Sequence, residues 1–171
     1  MNEISKTEIG KKLEKLGIEK LVFLNRNQIE KLLARHFEKD FLHISTVFGD
    51  HRDGEISATL RPDDAPKFFF DHHPGGEKID PGVNLVEVVN QSLAAFLLTG
   101  NPKFAFVSRE ISAKFKNAIE HHDEIRAEIK ILEIKTRGKI ATVVAEAKIF
   151  KNDSKKPAAI VKIKGAGGEK S

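Results

Sequence analysis

The clearest pattern in the chain is the spacing of apolar residues over its last seventy positions. Apolar and polar side chains alternate there, most strictly over residues 141–149, and a period of two is typical of a strand with one buried face. A tight hairpin turn is expected at Thr136–Lys139. The tail, over residues 166–171, is expected to be loose. The pattern therefore predicts four long antiparallel strands, over residues 104–115, 124–134, 139–150 and 158–164.

A different pattern precedes these strands. Residues 84–98, NLVEVVNQSLAAFLL, are apolar on nearly every side, which predicts a helix buried by the rest of the fold. Its polar residues Asn84, Glu87 and Gln91 lie at helical spacing and form one narrow stripe. The preceding Pro81-Gly82 starts this helix abruptly.

The first part of the chain is predicted to be helical. Residues 1–40 read as a helical segment packed on the same domain, with one helix ending at Gly17 and a second capped by Asn27. Two apolar segments follow, over residues 41–48 and 55–60, and predict a β-hairpin. A buried helix combined with antiparallel strands gives an α+β domain in which the sheet wraps around the helix.

Charge and composition narrow the function classes. The chain has 29 Lys and Arg against 25 Asp and Glu, and the two signs are interspersed, which indicates a solvated surface rather than a nucleic-acid interface. It has no Cys, so disulfides, thiolate zinc sites and Cys nucleophiles are excluded. The longest apolar run, over residues 93–98, is too short to span a membrane. With a charged amino-terminal segment, we expect a cytoplasmic protein.

The residues best suited to chemistry lie around the start of the buried helix. His72 and His73 stand in a loop rich in Gly and Pro, shortly before Pro81-Gly82. A helix start offers free backbone N–H groups to a carbonyl oxygen that gains negative charge. Glu87 lies one turn further on, and a histidine beside a carboxyl group is a plausible acid–base pair for proton abstraction next to a carbonyl. Alternatively, Glu87 has a structural role and the histidines lie on a solvated loop.

These same residues carry a resemblance to a known family. The sequence resembles the hotdog-fold 3-hydroxyacyl-(acyl carrier protein) dehydratases, and also the hotdog proteins of A-factor biosynthesis. The similarity rests on His72-His73-Pro74-Gly75, on Pro81-Gly82-Val83, on Glu87 and on Gln91 four residues later. The resemblance implies a hotdog fold over residues 41–165.

The resemblance also implies a mechanism of dehydration, or of hydration in reverse. The thioester carbonyl would accept a hydrogen bond from the N–H of Gly82 or Val83. His72 would take a proton from C2, and Glu87 would deliver one to the departing 3-hydroxyl. Gln91 would orient Glu87.

The dehydratase pattern does not fit this loop in every detail. Counting forward from the His-x-Pro-Gly motif selects His72 as the catalytic histidine, whereas counting back from Pro81-Gly82 selects His73. In such families the two catalytic residues meet across a dimer interface, and Phe70 is a candidate for the apolar tunnel that holds the acyl chain. The expected partners are an acyl carrier protein or coenzyme A thioester and a second copy of the chain.

Other functions remain open. A hotdog thioesterase or acyltransferase-like enzyme of secondary metabolism is the first alternative, and a non-catalytic acyl-thioester-binding module is the second. Asp71-His72-His73 also matches the motif of DHH phosphoesterases, but that metal site needs an Asp-x-Asp pair, which the sequence lacks. His121-His122-Asp123 is expected to be a surface turn. We therefore expect neither a metal nor a cofactor.

Overall fold

Seven strands and three α-helices make up the described part of the chain. The computed structural model describes residues 7–34, 42–65, 82–120, 122–138 and 140–169. In chain order the elements are α1 (Glu8–Lys15), β1 (Val22–Asn25), α2 (Arg26–Leu33), β2 (Thr46–Asp50), β3 (Glu55–Leu60), α3 (Gly82–Leu98), β4 (Phe104–Phe115), β5 (Ile125–Arg137), β6 (Ile140–Lys151) and β7 (Ala159–Glu169). None of the helices described is long and apolar enough to cross a bilayer.

The strands form one antiparallel sheet that wraps around α3. Their order is β1-β2-β3-β5-β6-β7-β4, so β1 and β4 are the two edges. Thirteen of the 17 residues of α3 are buried, and the helix contacts β2, β3, β4, β5 and β7. A helix that is apolar on nearly every side is stable only when other elements enclose it, which is the arrangement found here. The predicted α+β architecture is confirmed.

The long strands lie close to where alternation places them. β4 has the predicted bounds, and β5 and β6 begin and end within a few residues of the prediction. The turn between β5 and β6 contains Gly138 with a φ of 60°, a conformation that glycine adopts at little cost. Local patterning therefore suffices for these elements.

The strand β7 is longer than predicted. It continues to Glu169, through four residues of the segment expected to be loose. The reason is the fit of its glycines to β4. A Cβ atom at Gly165 would lie 2.2 Å from the ring of Phe106, and one at Gly167 would lie 2.3 Å from the ring of Phe104. The glycines thus make room for two aromatic rings, a cross-strand contact that composition alone does not reveal.

The amino-terminal segment differs from the prediction in two respects. A short strand, β1, lies between the two helices, and the second helix is capped by Asn25 rather than by Asn27. The Asn25 side chain accepts the N–H of Gln28, and the Gln28 side chain accepts the N–H of Asn25, which completes a capping box. Two asparagines stand within three residues of each other, and only the reciprocal bond to Gln28 distinguishes them.

This segment packs on the same core as the sheet. Leu13, Ile18, Ile29 and Leu33 are almost fully buried and belong to one hydrophobic cluster with the strands and α3. Burial of four aliphatic side chains contributes about 1.5–3 kcal/mol each.

The hairpin strand predicted from residue 41 begins later, at Thr46. Leu42 and Ile44 precede it, and their carbonyl groups accept hydrogen bonds from the Arg26 guanidinium at 3.2 and 2.8 Å. Backbone groups bound by a side chain are not available to a neighbouring strand, so the sheet starts after them.

Candidate functional site

The start of α3 is closely covered by β4. A Cβ atom at Gly82 would lie 2.6 Å from the ring of Phe115, so a larger residue there would require this ring to move. Val83, the next residue, is 60% exposed. The first turn of a helix has N–H groups without partners inside the helix, so this end of α3 can donate to a ligand oxygen.

Glu87 lies one turn beyond Val83 on the same side of α3, since residues four apart share a helix face. It is half-buried and is the only carboxylate in this helix. The Asn90 side-chain Nδ2 donates to Glu87 Oε2 at 3.5 Å. The hydroxyl of Ser108 in β4 in turn donates to Asn90 Oδ1 at 2.6 Å. A chain of polar contacts thus joins β4 to the carboxylate.

Gln91 has its described partners on another element. Its Oε1 accepts the backbone N–H of His43 at 2.7 Å, and its Nε2 lies 3.2 Å from Nδ1 of the same residue. Both residues are buried. Because the amide Nε2 can only donate, His43 Nδ1 is the acceptor and the ring hydrogen lies on Nε2. In the polar stripe predicted on α3, Asn84 and Gln91 are buried, whereas Glu87 reaches the surface.

The described hydrogen bonds connect Asn90, not Gln91, with Glu87. Sequence reasoning had assigned the orienting role to Gln91 and had given none to Asn90, Ser108 or His43. His43 stands among apolar residues in FLHIS, and a polar residue in such a run is the one local sign of a buried polar contact. Nothing local distinguishes Asn90 or Ser108, because their contact depends on how β4 crosses α3.

Exposed apolar side chains surround this end of α3. Ile111 and Phe115 pair with the buried Ile163 and Ala159 of β7, so they face the helix side of the sheet. They are nevertheless 50% and 51% exposed, and with Val83 they form what we call the apolar patch. Large side chains on the inner face of a sheet are usually covered, so the apolar patch indicates a binding surface.

His72, His73 and Phe70 lie outside the described residues. Gly82, Val83, Glu87 and Gln91 are the predicted site residues whose positions the structure gives.

A second candidate, the turn around Asp123, has a structural role. Its carboxylate is buried and accepts the N–H of Glu120 at 2.8 Å and the Asn152 side-chain amide at 2.6 Å. Burial alone would raise the pKa of Asp123, but these two hydrogen bonds and the nearby Lys151 lower it below the ordinary value of 3.8. Asp123 is buried, contrary to the expected surface turn, because its bond to Asn152 joins the turn between β4 and β5 to the turn between β6 and β7. Among the residues with described positions, no group of three or more His, Asp or Glu side chains is arranged to hold a metal ion.

A depression of about 480 Å³ lies on the outer face of the sheet, away from α3. Phe48, Ser57 and Glu128 line it, together with charged residues of β3, β5 and β6. Each of its four carboxylates already has a cationic partner, for example Glu55 with Lys130 at 3.2 Å. It has no acid–base group poised for chemistry, and we place the candidate site at α3.

A comparison with known families gives a match over most of the chain. Residues 40–159 match the sequence pattern of the FabA-like domain, and these residues include all of α3 and most of the sheet. The chain belongs to the FabA-like domain family. A comparison with curated protein sequences finds no significant match.

Solved structures of similar shape place this FabA-like domain among the hotdog folds. A candidate thioesterase from Silicibacter sp. TM1040 aligns over 88% of this chain and 95% of its own, with a TM-score of 0.61 and 17% identity. A mutant thioesterase from Pseudomonas aeruginosa aligns over 83% and 94%, with a TM-score of 0.59 and 18% identity. A hypothetical thioesterase from Streptococcus pneumoniae, solved with coenzyme A, aligns over 70% and 83%, with a TM-score of 0.50 and 13% identity. The predicted hotdog fold is confirmed.

Proposed function

We propose that this protein is an enzyme that acts on acyl thioesters, with Glu87 as a proton-transfer group. The preferred reaction is the dehydration of a 3-hydroxyacyl thioester, or the reverse hydration of a 2-enoyl thioester. One observation carries the proposal: a half-buried carboxylate lies one turn inside a helix whose N-terminal end is flanked by exposed apolar side chains.

The spacing along α3 suits this reaction. A thioester carbonyl bound at the N–H of Gly82 or Val83 places the 3-hydroxyl two carbon atoms away from the carbonyl carbon. Glu87 is four residues from Val83, a rise of about 6 Å along the helix, and its side chain can bridge that interval. A single ligand can therefore contact the helix start and the carboxylate together.

Each group has one step in this scheme. The helix N–H groups stabilise negative charge on the thioester oxygen, which acidifies C2. His72 or His73 takes the C2 proton, and Glu87 donates a proton to the 3-hydroxyl, which leaves as water while the C2–C3 double bond forms. The histidine role rests on the sequence motif, and both histidines remain candidates for it.

Thioester hydrolysis is the second candidate, and the names of the structural neighbours favour it. In this reaction Glu87 takes a proton from a water molecule, which attacks the carbonyl carbon. The C–S bond then breaks and the thiol leaves, while the helix start stabilises the same oxygen as before. The two reactions differ in the group that exchanges a proton with Glu87. It is the 3-hydroxyl in dehydration and the attacking water in hydrolysis.

The apolar patch is the proposed path of the acyl chain. Val83 lies beside the helix start, and Ile111 and Phe115 extend the apolar surface along β4. At about 25 cal/mol per Å² of buried apolar area, covering these side chains favours a long acyl group over a short one.

A second copy of the chain is the proposed cover for this surface. β4 is an edge strand of 12 residues, and Val107, Ile111 and Phe115 are all at least half exposed. Long apolar edge strands are rarely left open in a folded protein. Sedimentation at micromolar concentration should give a dimer or larger oligomer, and Ile111→Lys should shift it towards monomer. A wild-type monomer at that concentration would contradict this arrangement.

The test of the function is Glu87→Gln, assayed with 2-enoyl and 3-hydroxyacyl thioesters of coenzyme A and of acyl carrier protein. Glutamine preserves the volume and the contact with Asn90 but cannot transfer a proton. We expect kcat to fall about 10²–10⁴-fold without loss of stability. The reaction is followed by the absorbance of the enoyl thioester.

Glu110→Gln is the matched control. It is a carboxylate on β4, but it is exposed and pairs with Lys164 at 2.7 Å on the outer face. The Glu110→Gln variant should be as active as the wild type. Release of free thiol, with no enoyl change, would assign the enzyme to thioester hydrolysis. Binding of acyl thioesters without turnover in any assay would support the binding module instead.

A further inference from the structure

The Asn90 amide is held between Ser108 of β4 and Glu87 of α3. Ser108 Oγ donates to Asn90 Oδ1 at 2.6 Å, so the oxygen of this amide points to the strand. Its nitrogen therefore points the other way, and it donates to Glu87 Oε2 at 3.5 Å. Because the carboxylate can only accept, it takes the amide nitrogen, and the Ser108 hydroxyl, which can donate or accept, donates to the remaining oxygen.

An irregularity in β4 makes this contact compatible with the core. The pairing of β4 with β7 shifts by one residue between Ser108 and Glu110, so Arg109 is extra. Because of this shift, Ser108 and Ile111 both pair with buried residues of β7 and both face α3. Regular alternation would turn one of the two outward. The strand can therefore present a polar group to Asn90 and still present apolar groups to the helix start.

We propose that Asn90, oriented by Ser108, is a positioning residue for Glu87. It holds Oε2 and leaves Oε1 to exchange the proton with substrate. A donor on one carboxylate oxygen restricts rotation about the last side-chain bond. The functional half of this inference rests on the proposed role of Glu87, whereas the contact itself does not.

The first test needs no substrate. The side-chain amide protons and nitrogen of Asn90 are assigned by NMR in the wild type. Glu87→Gln and Ser108→Ala should each shift these resonances, because each removes or alters one partner of the amide. Ser112→Ala is the control, since Ser112 is an exposed residue of the same strand and pairs with Lys162 on the outer face.

The second test measures catalysis. Asn90→Ala should lower kcat about 10- to 100-fold with little change in KM, because substrate binding does not use the amide. Ser108→Ala should have a smaller effect in the same direction, and Ser108→Thr, which retains the hydroxyl, should restore activity. The double variant Asn90→Ala/Ser108→Ala should be no worse than Asn90→Ala, because Ser108 acts only through Asn90.

A third variant gives a pH signature that lost packing would not produce. Asn90→Asp keeps the shape but places a second carboxylate beside Glu87. Two like charges at this separation disfavour each other, so the alkaline limb of the pH–rate profile for dehydration, in which Glu87 acts as the acid, should move to higher pH.

The outcomes separate the inference from the proposed function. If the Asn90 resonances change in neither Glu87→Gln nor Ser108→Ala, the proposed contact from Ser108 through Asn90 to Glu87 is overturned, whatever the activity. If the Asn90 resonances shift in both variants but the protein turns over no thioester, the contact is confirmed and the proposed function is overturned. Equal loss of kcat in Asn90→Ala and in the Ser112→Ala control would refute the positioning role.

Discussion

Replacement of Gln91 by leucine tests the buried contact between α3 and His43. Gln91 binds both the backbone N–H and the ring Nδ1 of His43, a residue 48 positions earlier in the chain. Leucine has a similar size but no polar atom. The substitution therefore removes two hydrogen bonds and leaves a buried donor and a buried acceptor of His43 without these partners.

The expected loss of unfolding free energy follows from these two lost hydrogen bonds. A buried polar group that loses its partner costs about 1–3 kcal/mol, so two such groups give about 2–6 kcal/mol. Domains of this size have a total stability of about 5–15 kcal/mol. With a urea m-value of about 2 kcal/mol per M, the midpoint should fall by about 1–3 M.

Urea unfolding followed by far-ultraviolet circular dichroism is the appropriate assay, because the chain has no Trp or Tyr for fluorescence. The protein concentration is kept constant, since association would contribute to the apparent stability. Gln91→Glu adds a second comparison. A carboxylate still accepts the backbone N–H of His43, and it favours a ring hydrogen on Nδ1. The chemical shifts of the ring nitrogens in NMR should therefore report a change of tautomer.

Ser92→Ala is the matched control on the same helix. Ser92 is fully buried, but its hydroxyl donates to the carbonyl of Val88, which belongs to the same helix. Its loss should cost less than about 1 kcal/mol, because Val88 retains its helical bond. A Gln91→Leu effect equal to that of Ser92→Ala would refute the reasoning.

Two further predictions concern the ends of elements. Hydrogen bonds hold the pKa of Asp123 below its ordinary value of 3.8, so its stabilising contribution is complete above pH 4 and is lost as the pH falls through the lowered value. Asp123→Asn should therefore be less stable than the wild type at pH 7, with a gap that narrows in acid unfolding curves; a gap independent of pH would contradict this. Asn25→Ala should cost about 1 kcal/mol in urea unfolding, whereas Asn27→Ala should be neutral, and the reverse ranking would make Asn27 the cap.

The sequence determines the elements whose signals are local. The buried helix of residues 84–98 and the strand of residues 104–115 follow from the period of their apolar side chains, because each element must bury one face or all of its faces. The same local reasoning places Glu87 on α3, one turn inside the helix start.

Tertiary structure decided what lies far apart in the chain. The glycines of the tail form part of β7 because the rings of Phe104 and Phe106 lie over them, and a glycine-rich segment alone predicts a loose end. Gln91 binds His43 across 48 residues, and Asn90 binds Ser108 across 18. Periodicity states which side of an element is buried, but the partner of a polar side chain depends on the register and crossing of elements. Those are set only when the sheet closes around the helix.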